Sequence, residues 1–193
     1  MYDNNYNKEF VEDKIIITIK GNERFLLQIP FKKDKISNEK VTIIMKNPSY
    51  ANASCSDKTT DKVISCFYDK FKGVGTLSIV NLFTMITPKS EELKDFCEYN
   101  NSVSWQKNKE IIKNECSNSN YIIFAWGDDV VPEHRDRENE VLRIVKELNK
   151  QPYCINTLTK KGFPRHPLIN KNMSFNFYKD ELKRWMQERN YFI

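Results

Sequence analysis

Apolar residues fall into short continuous runs that alternate with longer, spaced stripes along the chain. Residues 15–19 and 24–29 are β-rich runs flanking Lys20-Gly21-Asn22-Glu23, which predicts a hairpin. Val41-Thr42-Ile43-Ile44-Met45 predicts a buried strand, stopped by Asn47-Pro48-Ser49. Residues 56–71 space Val63, Ile64, Phe67 and Phe71 as one helical face, with Ser56 or Asp57 as the N-cap and Gly73 and Gly75 past the end. Residues 77–80 read as a short strand running into Asn81, and residues 104–116 as a helix. Residues 121–126 give the clearest strand, ending at Gly127-Asp128-Asp129. A helix over residues 137–149 carries Val141, Leu142, Val145 and Leu148 on one stripe. A strand over 153–156, a basic loop and a final helix over 178–190 with Leu182, Trp185 and Met186 complete the order.

A hairpin followed by four strand–helix pairs predicts an α/β fold. The expected architecture is a three-layer sandwich around a mainly parallel four-stranded sheet, with an N-terminal β-hairpin. The 193 residues are enough for one domain, with residues 1–36 as a hairpin extension and residues 172–193 as a C-terminal helix. There is no internal repeat and no low-complexity segment.

Composition narrows the setting. No apolar run is long enough to cross a membrane, and residues 1–10 are polar, without the core of a signal peptide. The five cysteines, Cys55, Cys66, Cys97, Cys116 and Cys154, are odd in number and widely spaced. No C-x-x-C occurs, so neither a zinc site nor a disulfide framework is expected, and the pattern points to a reducing cytoplasm. The net charge of +5 permits a polyanionic partner without demanding one. Residues 158–171 contain Lys160, Lys161, Arg165 and Lys171 and no acid, whereas residues 128–140 are rich in acids. Asp128, Asp129, Glu133, His134 and Asp136 match no known metal-loop spacing, so no metal is expected. The five glycines form neither a Walker loop nor a dinucleotide fingerprint, so no cofactor is expected. The oligomeric state is not legible.

In an open parallel sheet, ligands lie beyond the carboxyl ends of the strands. Here those ends deliver Asn47-Pro48-Ser49, Asn81, Trp126-Gly127-Asp128 and the loop to His166. Each is also what ends a strand in any fold, but four polar segments converging on one edge predict a site. Ser49, His166 and Asp128 supply the residue types of a triad, yet no G-x-S-x-G elbow is present.

The ordered motifs carry a resemblance. Ile44-Met45-Lys46-Asn47-Pro48-Ser49 with Ala51, Asp57-Lys58-Thr59, Val80-Asn81-Leu82-Phe83 with Thr87-Pro88, Ala125-Trp126-Gly127 and the run from Leu158 through Arg165-His166-Pro167-Leu168 resemble the domain of unknown function 1643 family of bacterial and phage proteins. That likeness implies no activity. More distantly, the order of Asn47-Pro48, Asn81, Trp126-Gly127 and His166-Pro167 is similar to that of the uracil-DNA glycosylase superfamily. His166-Pro167-Leu168 lacks the serine that usually opens the last loop there.

That second resemblance implies a nucleobase- or nucleic-acid-processing hydrolase that cleaves an N-glycosidic bond. Asn47 would hold the attacking water and His166 would donate to the leaving base. Asn81 would read the base edge and Phe83 would stack on it. Pro48, Ser49, Asp57, Trp126 and Gly127 are further substrate-binding candidates. Lys160, Lys161 and Arg165 would meet phosphates of a nucleotide or nucleic-acid partner. The alternatives are a non-catalytic nucleotide- or nucleic-acid-binding module and an enzyme acting on a small nucleotide-like metabolite.

Overall fold

The computed structural model describes residues 4–33, 37–88, 92–93, 102–128, 135–169 and 177–188. Its main sheet is built from β2 (Ile16–Lys20), β3 (Glu23–Pro30), β4 (Glu39–Met45), β6 (Val74–Asn81), β7 (Tyr121–Phe124), β8 (Pro152–Ile155) and β9 (Phe177–Tyr178). A separate two-residue ladder joins β1 (Asn4–Asn5) to β5 (Cys55–Ser56). The helices among the described residues are α1 (Lys58–Lys70), α2 (Ser102–Ser117), α3 (Arg135–Glu147) and α4 (Asp180–Glu188).

The strand order is β2-β3-β6-β4-β7-β8-β9. The expected four parallel strands are its middle, β6-β4-β7-β8, but the sheet has seven strands and is mixed. β3 pairs antiparallel with β6, so the hairpin is continuous with the sheet. β9 adds an antiparallel edge beside β8. The reason lies in β3 itself: Phe25, Leu26 and Leu27 are buried in succession, which requires cover on both faces and neighbours on both sides. The hairpin turns on Gly21, whose φ of 58° suits the tight connection between Lys20 and Glu23.

Chain direction then fixes where the helices lie. The crossover from β4 through α1 to β6 steps one way along the sheet, and the crossover through α2 to β7 steps back past β4. Right-handed crossovers running in opposite directions place their helices on opposite faces. Two separate cores record this. Val63, Ile64 and Phe67 of α1 pack with Val41, Ile43, Ile79 and Ile123 on one face. Ile112, Val141, Leu142, Leu182 and Trp185 of the other helices pack with Ile44, Val80, Ile122 and Phe124 on the opposite face. The point where the connections diverge is the carboxyl end of β4, where an open α/β sheet forms a crevice.

The helix expected over residues 56–71 starts at Lys58, after the Asp57 N-cap, whose carboxylate accepts the Thr60 N–H at 2.8 Å. Gly75 lies inside β6 and not in a helix end. No helix among the described residues is long and apolar enough to cross a membrane. The described cysteines, Cys55, Cys66, Cys116 and Cys154, are free thiols, and burial pushes Cys116 up to about 12.

Candidate functional site

Beyond β4 the backbone pairing with the chain leaving β6 continues. Leu82 and Phe83 N–H donate to the Met45 and Lys46 carbonyls at 2.9 and 2.8 Å. Thr87 N–H donates to the Pro48 carbonyl at 3.0 Å. The Asn47 amide closes the same clamp, since its Nδ2 donates to the Thr87 carbonyl at 2.6 Å and to the Pro48 carbonyl at 3.1 Å. Two carbonyl acceptors fix which end of the amide is nitrogen. Asn47 Oδ1 is left without a protein donor.

A second wall comes from the start of α1. Both Asp57 carboxylate oxygens are engaged, one by Thr60 N–H and the other by Ala51 N–H at 3.2 Å. The Ala51 carbonyl accepts from Arg24 Nη1 at 2.5 Å. Arg24 is 1% exposed, and its Nε meets no acceptor. Burial pushes the guanidinium down to about 10, with Asp57 opposing that fall, so it stays charged at neutral pH.

The third wall is the loop carrying His166. Arg165 stitches this loop together, with Nε donating to the Thr157 carbonyl at 2.8 Å and Nη2 to the Leu158 carbonyl at 2.9 Å. Gly127 N–H donates to the Pro164 carbonyl at 2.7 Å. Gly127 has φ 76°, and a Cβ there would come within 3.1 Å of His166 Cβ. A glycine is needed both for the turn and for the close approach. Leu168 N–H donates to His166 Nδ1 at 3.3 Å, which leaves the ring proton on Nε2. Desolvation pushes His166 down to about 4, helped by Lys46 and Lys62 and opposed by Asp57. The imidazole is therefore a neutral donor at physiological pH.

These walls enclose a cleft of about 530 Å³, a size that suits a small organic ligand. Asn47, Ser49, Asp57 and His166, four of the residues expected from sequence, line it together. Pro48 is buried behind them and supplies backbone contacts. Asn81, Phe83, Trp126 and Gly127 are not in the lining. Asn81 is nevertheless close: its register partner Met45 lines the cleft, and alternation from Leu77 and Ile79 directs its side chain to the same face. Asn81 is 1% exposed, and neither Nδ2 nor Oδ1 finds a partner. Its backbone carbonyl accepts from Asn108 Nδ2 at 2.9 Å.

Phe83 lies under the Arg137 guanidinium, 4.6 Å from its ring centre. Trp126 packs against Phe124 and Trp185 in the core. Lys160 and Lys161 are exposed and not in the lining, and Arg165 is spent on its own loop. Asp128 also stays out of the lining, and its carbonyl accepts from Lys46 Nζ, so the triad residue types do not assemble at the cleft. Asp129, Glu133 and His134 lie outside the described residues. Among the described residues no cluster of three or more histidine, cysteine or acidic side chains could hold a metal. Arg24 and Thr87 are not among the site residues expected from sequence, although Thr87-Pro88 is one of the motifs. A charge heading the apolar run Phe25-Leu26-Leu27 was the available signal for Arg24.

A model of the family described as protein of unknown function (DUF1643) matches residues 24–168, which spans all three walls of the cleft. No curated protein and no solved structure gives a significant match.

Proposed function

The chain belongs to the DUF1643 family, and from that premise we propose that it is a nucleobase- or nucleic-acid-processing hydrolase that cleaves an N-glycosidic bond. The observation that carries this reading is the pairing, in one cleft, of a pinned Asn47 amide with an open Oδ1 and a neutral His166 with its proton on Nε2. The order of Asn47-Pro48, Asn81, Trp126-Gly127 and His166-Pro167, which resembles that of the uracil-DNA glycosylase superfamily, supports it, as does the place of these segments at strand ends.

In the reaction, the bond from sugar carbon to base nitrogen breaks and its electron pair leaves with the base. The oxygen of a water bonds to the sugar carbon, and its proton passes to solvent. Asn47 Oδ1 accepts a hydrogen bond from that water and orients it. An amide suffices because the sugar is already cationic as the base departs, so little proton abstraction is needed early. His166 Nε2–H donates to the base oxygen where negative charge develops, a preorganised electrostatic role. A neutral imidazole can do this without itself having to gain a proton. Asn81 offers an unpaired donor and acceptor for the edge of the base.

One observation favours a small nucleotide-like substrate over a polymer. Lys160 and Lys161 do not line the cleft, and Arg165 binds its own loop, so the expected phosphate-binding patch is not part of the lining.

The test is mass spectrometry of free bases released from nucleosides, nucleotides, and natural and phage-modified DNA and RNA. Release by the wild-type protein should fall at least about a hundredfold in both Asn47→Ala and His166→Ala. A folded protein that releases no base from any of these would sink the hydrolase and leave a binding module.

A further inference from the structure

We propose that the cleft has a phosphoryl-binding subsite at the N-terminus of α1, formed by the Arg24 guanidinium, the Thr59 N–H and the Lys58 side chain. The inference rests on the reading above only for the rest of the ligand, which is nucleotide-like. The subsite itself stands on separate observations.

The first is the helix end. α1 is 13 residues long, and Lys58, Thr59 and Thr60 of its first turn line the cleft. A helix N-terminus carries partial positive charge and N–H groups that point outward. Asp57 satisfies the Thr60 N–H through its side chain and the Asp61 N–H through its carbonyl. The Thr59 N–H has no such partner.

The second is Arg24. A guanidinium has five N–H donors in a planar fork suited to oxyanions. Here it is 1% exposed, it lines the cleft, and only Nη1 meets a protein acceptor, the Ala51 carbonyl. A buried charge with so few hydrogen bonds is costly unless something else completes its shell.

The third is the charge balance. Arg24 and Lys58 are cationic, and among the described residues Asp57 is the one carboxylate in the lining. Both Asp57 oxygens are already bound by backbone N–H groups. Lys46 and Lys62 add positive potential at His166 on the facing wall. The field thus favours an anion, and Arg24, Lys58 and Thr59 line the same cleft.

The phosphoryl group can belong to a free nucleotide or to a nucleic-acid backbone, and the experiment separates these sources. Amide chemical shifts and affinities would be measured at constant ionic strength with inorganic phosphate, a nucleoside, its 5′-monophosphate and a short oligonucleotide. Inorganic phosphate should move the Thr59 and Thr60 amide signals in a saturable way. The monophosphate should bind at least tenfold more tightly than the nucleoside. In Lys58→Gln, an exposed position that leaves folding intact, that ratio should shrink below threefold. Arg24→Lys keeps the charge but not the fork and should also reduce it. Tighter binding of the oligonucleotide than of the monophosphate, with the same amides moving, would support the subsite and assign it to a backbone phosphate. No phosphate-induced shift at Thr59, or equal affinity for nucleoside and monophosphate, would overturn the subsite. Phosphate binding at Thr59 without base release would keep the subsite and sink the hydrolase, and base release without any phosphate effect would do the reverse.

Discussion

Buried polar groups sit at both ends of the parallel strands, and the protein treats the two ends differently. Toward the amino ends, Glu115 of α2 accepts from Lys40 at 2.6 Å and from Gln28 at 3.4 Å. Its backbone carbonyl accepts from the Ser119 hydroxyl at 2.9 Å, and that hydroxyl lies 2.6 Å from the Thr42 hydroxyl. Lys150 caps the Ser119 carbonyl at 2.8 Å. At the carboxyl ends, the Asn81 amide, the Arg24 Nε and the Trp126 indole N–H are buried without partners. Each such group costs about 1–3 kcal/mol relative to a satisfied one. The amino end pairs these groups with one another, the Ser37 hydroxyl being an unpaired exception there. The carboxyl end leaves buried donors and acceptors unpaired beside the cleft that Arg24 lines, a cost that folding alone does not explain.

The comparison can be broken most forcefully at Glu115. Glu115→Ala strips Lys40 of its carboxylate partner and Gln28 of one of its two acceptors inside a network of mutual hydrogen bonds. It should lower the unfolding free energy by roughly 3 kcal/mol, read from denaturant melts. A loss below about 1 kcal/mol would mean that the network is not structural.

The pH response sharpens the other end. His166 has a folded value of about 4 against an ordinary value of 6.5, so between those values the unfolded chain binds more protons. Stability contributed by the neutral ring is complete above pH 6.5 and is lost as pH falls toward 4, at up to roughly 1.4 kcal/mol per pH unit. His166→Gln should flatten that part of the stability profile. If the proposed hydrolysis uses the neutral donor, base release should show no loss on acidification from pH 7.5 to 5.5. An acid limb near pH 6.5 would show that the ring is solvated and not held in its cleft.

Much of the frame was legible because core burial imposes periodicity. The strand before Asn47, the strand at residues 121–124 and the face of α1 each carry apolar residues at the spacing their geometry demands. β9 was not legible, since two residues at an edge carry no pattern and their pairing depends on β8 being there to receive them. The strand ends pointed to the carboxyl edge of the sheet, and Asn47, Ser49, Asp57 and His166 share a cleft there. The basic loop was only partly legible, for a local reason. Arg165 has backbone carbonyls of its own loop within reach, and composition cannot tell a guanidinium that closes a loop from one that awaits a phosphate. Arg24 was hidden in a strand, where its burial depends on the loop at Ala51 folding over it from far along the chain.

The smallest stability effect carries the most direct test, which is Asn81→Leu measured for both unfolding and base release. The Asn81 side chain has no hydrogen bonds to lose, and the substitution places an apolar group of similar size in a buried position. Unfolding free energy should stay within about 1 kcal/mol of the wild type or rise, while base release or nucleoside binding is lost. A destabilisation comparable to that of Glu115→Ala, with ligand binding and turnover intact, would contradict the account and make the carboxyl edge one more structural network.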